Sequence, residues 1–94
     1  MIVIVKVIGD LKDYFGKEPH EIELPENARV RELYQRIEQF WGPEFPPYLW
    51  DFEKHQFRGP IFLVMNKKAL QDLDAALENG SEINIMRAIA GGRY

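Results

Sequence analysis

Positions 2–8, Ile-Val-Ile-Val-Lys-Val-Ile, are apolar on both alternating faces apart from Lys6 and stop at Gly9-Asp10. A β-branched run of this kind predicts a strand near the centre of a sheet. Residues 11–15 followed by Gly16 read as a helical turn or loop. In His20-Glu-Ile-Glu-Leu24 the apolar Ile22 and Leu24 alternate with Glu21 and Glu23, the pattern of a half-exposed strand within hairpin reach of the first. Pro25-Glu26-Asn27 then offers turn residues and a candidate helix cap at Asn27.

The period changes next. Val30, Leu33, Tyr34, Ile37, Phe40 and Trp41 recur at helical spacing, with Arg31, Glu32, Gln35, Arg36, Glu38 and Gln39 between them, so residues 30–41 are predicted to form a helix with one apolar stripe. Gly42-Pro43 ends it. Residues 42–60 are crowded with aromatic and breaker residues, among them Phe45, Pro46, Pro47, Tyr48, Trp50, Phe52 and Phe57, and the pattern assigns them no element. Ile61-Phe-Leu-Val-Met65 reads as a short strand before the turn residues Asn66-Lys67-Lys68, with a short strand or turn near Ala69-Leu70. The spacing of Leu70, Leu73 and Leu77 predicts one or two helical turns closed by Asn79-Gly80. Residues 81–87 then give a last strand with Ile83 and Ile85 on one face. Strand, strand, helix, strand, short strand and strand make an α+β pattern. With the first and last strands side by side and one principal helix across the sheet, the expected architecture is the β-grasp.

Composition narrows the chemistry. The 94 residues hold 12 Lys plus Arg against 15 Asp plus Glu, for a formal charge of −3, with 46% hydrophobic residues and no cysteine. One domain over residues 1–94 is expected, with an aromatic-rich insertion at 42–60 and a flexible tail at 88–94. The absence of cysteine excludes a disulfide, a thiolate nucleophile and cysteine-ligated metal within these residues, and suits a cytoplasmic setting. The apolar opening run is far shorter than the roughly 20 residues of a membrane span. A mildly acidic chain gives no general attraction to phosphate, so neither nucleic acid nor membrane is expected as a partner.

Four stretches carry a resemblance to a known family. They are the opening strand before Leu11-Lys-Asp-Tyr-Phe-Gly16, the Glu23-Leu-Pro-Glu-Asn-Ala-Arg-Val-Arg-Glu-Leu33 passage, the Val64-Met65-Asn66 turn, and Leu77-Glu-Asn-Gly-Ser-Glu-Ile83 leading on to Ala90-Gly91-Gly92. In this order and spacing they resemble the ubiquitin-like sulfur carriers of molybdopterin and thiamine biosynthesis, the MoaD/ThiS group. The resemblance implies a β-grasp protein that is a substrate, not an enzyme, and binds no cofactor of its own. ATP would be used by a ubiquitin-activating-like adenylating enzyme to activate a terminal glycine, and the resulting thiocarboxylate would deliver sulfur to an acceptor such as a molybdopterin synthase large subunit. Length and the helix region look more like the molybdopterin branch, so a role in molybdenum- or tungsten-pterin synthesis is expected. Carrier and conjugating modifier share the same activation chemistry and are not separated by residues alone.

On this resemblance Gly91 and Gly92 form the activation tail. Glycine lacks Cβ, which keeps such a tail thin enough for a narrow channel, and residues 88–92 fully extended would reach roughly 16 Å. The chain departs from the family in three ways: Arg93 and Tyr94 follow Gly92, Arg29 stands where a capping threonine is usual, and the insertion is long and aromatic. A peptide bond to Arg93 leaves Gly92 no carboxylate, so Gly92 and Arg93 mark an expected processing site and a protease an expected partner. Ile2, Ile4 and Ile8 must point away from the face that takes Val3, Val5 and Val7. They are covered either by the insertion or by a partner, and with Trp50 and Phe57 they make the candidate partner surface. The insertion's aromatic residues are expected mostly to shield the core. Asp51, Glu53 and His55 alternate but offer no fourth ligand, and no metal site is expected.

Overall fold

The computed structural model describes residues 1–16 and 19–87. The elements are β1 (Ile2–Ile8), α1 (Lys12–Phe15), β2 (His20–Glu23), α2 (Val30–Trp41), β3 (Trp50–Asp51), β4 (Gln56–Phe57), β5 (Ile61–Met65), β6 (Lys68–Leu70) and β7 (Glu82–Arg87). Five strands form one mixed sheet in the order β2-β1-β7-β5-β6, and β3 pairs with β4 in a separate hairpin. First and last strands lie side by side and parallel, with Val5 opposite Ile83 and Val7 opposite Ile85. The expected β-grasp is present: one principal helix, α2, packs across one face of the sheet, and α1 adds a single short turn.

Alternation decides the inner face. Val3, Val5 and Val7 of β1, Ile22 of β2, Leu63 and Met65 of β5 and Ile83 and Ile85 of β7 are buried with Val30, Leu33, Tyr34 and Ile37 of α2. Phe40 leaves the predicted stripe and is exposed, while Trp41 is half-buried. Asn66 and Lys67 both take positive φ (52° and 67°), which closes the β5–β6 hairpin with a tight two-residue turn matching the strand twist.

Two local expectations are corrected. Asn27 sits at φ 62° in the turn before α2 and does not cap it; the N-cap is Arg29, whose backbone N–H donates to Glu32 Oε1 at 2.7 Å. An arginine side chain has no acceptor to offer the helix, so other groups satisfy the first turn. Val30 N–H donates to the Ala75 carbonyl and Arg31 N–H to that of Leu73, while Leu77 N–H donates to the Ala28 carbonyl. The same contacts explain the second correction. Leu70, Leu73 and Leu77 do not form helical turns: Leu70 ends β6, and residues 73–77 run as a strap whose carbonyls meet the unpaired donors at the start of α2. Asp74 ties the strap down through Arg31 (2.7 Å), and its carbonyl accepts from Arg29 (2.8 Å).

Residues 42–60 fold onto the helix side of the sheet. Gly42 is buried, and a Cβ there would lie 2.9 Å from Glu38 Cγ, so any larger residue would have to push the Glu38 side chain aside. Phe45, Leu49, Trp50 and Phe57 enter the main core. Trp50 is edge-on to Phe57 (4.8 Å between ring centroids) and to Tyr34 of α2 (5.6 Å), and its indole N–H donates to Glu38 Oε1 at 2.6 Å. Asp51 Oδ1 accepts from the backbone of Glu53 and Lys54, closing the turn between β3 and β4.

Candidate functional site: the outer sheet face and the root of the tail

Because the insertion packs on the helix side, it does not cover the second face of the sheet. Register places the outward side chains in rows: Glu23 beside Ile2; Glu21, Ile4 and Glu82; Lys6, Asn84 and Val64; then Ile8, Met86 and Phe62. The last row is apolar throughout. Phe62 is 49% exposed and Ile8 45%, with Met86 half-buried between them. The opposite end of the face is acidic around Ile2, also 45% exposed, and Lys6 is held by Glu82 at 3.1 Å. A small apolar corner with a charged rim is suited to docking against another protein. It lies at the end of β7, from which the chain runs on through residues 88–90 to Gly91-Gly92.

Of the predicted surface residues, Ile2, Ile4 and Ile8 therefore share the outer face, Ile4 being half-buried. Trp50 and Phe57 are corrected. Trp50 is fully buried and Phe57 nearly so, because both rings fill the space between α2 and the insertion, and they form no part of a partner surface. Phe62 and Met86 take their place. The signal for them was in the sequence: once Leu63 and Ile85 point inward, period two sends Phe62 and Met86 outward. Gly91, Gly92 and Arg93 lie outside the described residues.

A second set of contacts gathers where β7 ends. Arg87 Nη2 donates to Asp10 Oδ2 at 2.9 Å, and the Arg87 guanidinium lies 5.7 Å from the centroid of the Tyr48 ring. The Tyr48 hydroxyl is hydrogen-bonded to that of Tyr14 at 2.6 Å, and Tyr14 meets the buried Phe45 edge-on. The bond to Tyr48 pushes the Tyr14 hydroxyl above the usual tyrosine range, so the Tyr14 phenol stays neutral at physiological pH.

Elsewhere, partial burial pushes the Glu38 carboxyl up, but hydrogen bonds from Trp50 and His55 outweigh it and hold Glu38 below the ordinary glutamate range. Tyr34 is pushed up by burial alone and stays protonated. Asp51, Glu53 and His55 do not converge: the Asp51 carboxylate serves the hairpin turn, and His55 Nδ1 faces Glu38 at 3.0 Å. Among the described residues no group of three or more His, Asp or Glu side chains is placed to hold a metal, and no helix is long and apolar enough to cross a membrane.

Comparison with known proteins bears on both the fold and the tail. A family model described as the ThiS family matches residues 5–92. A search of curated proteins gave no match. Among solved structures, the chain is similar to small archaeal modifier protein 1 (SAMP1) from Haloferax volcanii, with TM-score 0.77 and 17% identity over 98% of this chain and 100% of that one. It is similar to the putative molybdopterin converting factor subunit 1 from Pyrococcus furiosus, with TM-score 0.71 and 23% identity over 94% of this chain and 98% of that one. It is also similar to a chain in the complex of subunits 1 and 2 of the molybdopterin-converting factor from Helicobacter pylori, with TM-score 0.60 and 18% identity over 98% of this chain and 100% of that one. At these identities the likenesses establish the β-grasp fold.

Proposed function

Since this chain belongs to the ThiS family, we propose that it is a sulfur carrier of molybdenum- or tungsten-pterin synthesis, activated as a thiocarboxylate on Gly92 after Arg93-Tyr94 is removed. The observation that carries this reading is the extent of the family match, which runs to Gly92 and stops before Arg93. The protein would be a substrate of the chemistry. A Gly92 carboxylate oxygen attacks the α-phosphorus of ATP on a separate adenylating enzyme, pyrophosphate leaves, and an acyl-adenylate forms. A persulfide then attacks the carbonyl and AMP departs. A thiol cleaves the resulting acyl disulfide, leaving sulfur on the glycine and a disulfide on the donor. The apolar corner of Ile8, Met86 and Phe62 supports the reading, since the end of the domain nearest the tail offers a surface on which an enzyme can hold it.

The molybdopterin branch is supported by the likeness to subunit 1 of the converting factor, which in the Helicobacter pylori structure is in complex with subunit 2. A subunit of that kind is the proposed sulfur acceptor here. A second reading, conjugation to other proteins through Gly92, is favoured by the higher structural similarity to the archaeal modifier. Intact mass spectrometry of the protein from its own cells separates the readings. A chain ending at Gly92 with one oxygen replaced by sulfur supports the carrier. Branched peptides joining Gly92 to lysines support the modifier, and a population that always retains Tyr94 defeats both.

A further inference from the structure

The contacts around Arg87 belong to none of the roles assigned above. Two segments far apart in sequence meet the end of β7 there: residues 10–14 after β1, which bring Asp10 and Tyr14, and the insertion, which brings Tyr48. An exposed ion pair and a cation–π contact add little to stability, yet these grip the last residue of β7 from two sides. Asp10 holds one edge of the guanidinium at 2.9 Å and the Tyr48 ring covers it at 5.7 Å. The ring is braced in turn by the 2.6 Å bond to Tyr14, which leans on Phe45 in the core. A planar guanidinium suits this double grip, because it can present its edge to a carboxylate and its face to an aromatic ring at once.

We propose that Asp10, Tyr48 and Arg87 form a clamp that aims the chain leaving β7, so that Tyr48 and Asp10 are positioning residues for activation of the terminal glycine. The inference rests on the carrier reading and adds a division of labour to it. The apolar corner sets how tightly the activating enzyme holds the domain, and the clamp sets how readily the following residues enter its active site. Arg87 is already held by its backbone pairing with Ile61, so the clamp adds the ordering of its side chain, worth a factor of up to about thirty. Losing the clamp should therefore slow turnover while leaving docking alone.

The test is ATP-pyrophosphate exchange with the cognate adenylating enzyme, using the chain that ends at Gly92. Tyr48→Ser and Asp10→Asn should each lower kcat about three- to tenfold, with KM and Tm unchanged. Tyr48→Phe, which keeps the ring over the guanidinium, should retain most activity. In an Arg87→Ala background neither change should have a further effect, because both act through Arg87. A loss confined to Arg87→Ala would mean that Arg87 touches the enzyme directly, and a rise in KM for Tyr48→Ser would make this a docking surface; either result overturns the clamp. No exchange by the wild-type chain ending at Gly92 would instead count against the carrier reading. NMR relaxation at Arg87 Nε then tests the clamp without the enzyme: an ordered side chain that loosens in Tyr48→Ser supports it, and free motion in the wild-type protein overturns it.

Discussion

The insertion and the outer corner of the sheet are both rich in large apolar side chains, and the structure uses them in opposite ways. Trp50 and Phe57 lie between α2 and the insertion, where their rings meet Tyr34 and each other. Ile8, Met86 and Phe62 share one row on a sheet face that no part of the described chain covers. The difference is set by the length and path of the connections. Residues 42–60 follow directly from the end of α2, so they fold against the helix they leave. The described parts of the other connections leave Ile2, Ile8 and Phe62 on the far face about half exposed. Aromatic content alone does not mark a binding surface; which face a backbone path can reach decides it.

The largest effect expected from this contrast is at Trp50. Trp50→Ala should destabilise the protein by about 3 to 5 kcal/mol, as large-to-small changes in a core do, and it also strips Glu38 of a hydrogen bond. Urea unfolding measures it. A cost under about 1 kcal/mol would show the insertion to be peripheral. Leu33→Ala, beneath the same helix, should cost about 2 to 5 kcal/mol, and a negligible change would show the α2 stripe to be misassigned.

Phe62→Ser should behave in the reverse manner. The side chain is half-exposed, so stability should change by less than about 0.5 kcal/mol. Its KM with the activating enzyme should rise about tenfold or more, as loss of an aromatic anchor does at an interface. An unchanged KM would remove the apolar corner from docking and leave the comparison without its outer half.

The smallest effect is electrostatic. Glu38 sits below its ordinary value near 4.5 in the folded protein, so it contributes stability that is present above that value and is lost as pH falls through the lower, folded one. Glu38 is partly open to solvent and its partner His55 is exposed, which keeps the contribution under about 1 kcal/mol. Unfolding midpoints of the wild type and Glu38→Gln should converge as the solution is acidified below pH 4.5. A constant difference between the two at every pH would mean that the carboxylate charge is irrelevant.

Much of the fold could be read where one local rule governed. Alternation placed Val3, Val5 and Val7 against Ile2, Ile4 and Ile8, and helical spacing placed Val30, Leu33 and Ile37. It misled where a tertiary partner changed what the backbone needed. Leu70, Leu73 and Leu77 have helical spacing, but the carbonyls of Leu73 and Ala75 are drawn to the first turn of α2 because Arg29 cannot cap it. Trp50 and Phe57 could be read as cover for the core, which they are, or as partner surface, because a breaker-rich segment shows no periodicity to reveal which side is inward. Phe62 and Met86 were legible from strand parity, whereas the meeting of residues 10–14 with Tyr48 and Arg87 was not, since no sequence spacing links those three places.

The central claim is that this chain carries sulfur on Gly92 and is latent while Arg93 follows it. ATP-pyrophosphate exchange with the cognate adenylating enzyme, run on the 94-residue chain and on a version ending at Gly92, tests it most directly. The account predicts exchange with the shorter chain alone, because only it has a glycine carboxylate to attack ATP. Equal exchange by both chains, or none by the shorter one, would contradict it.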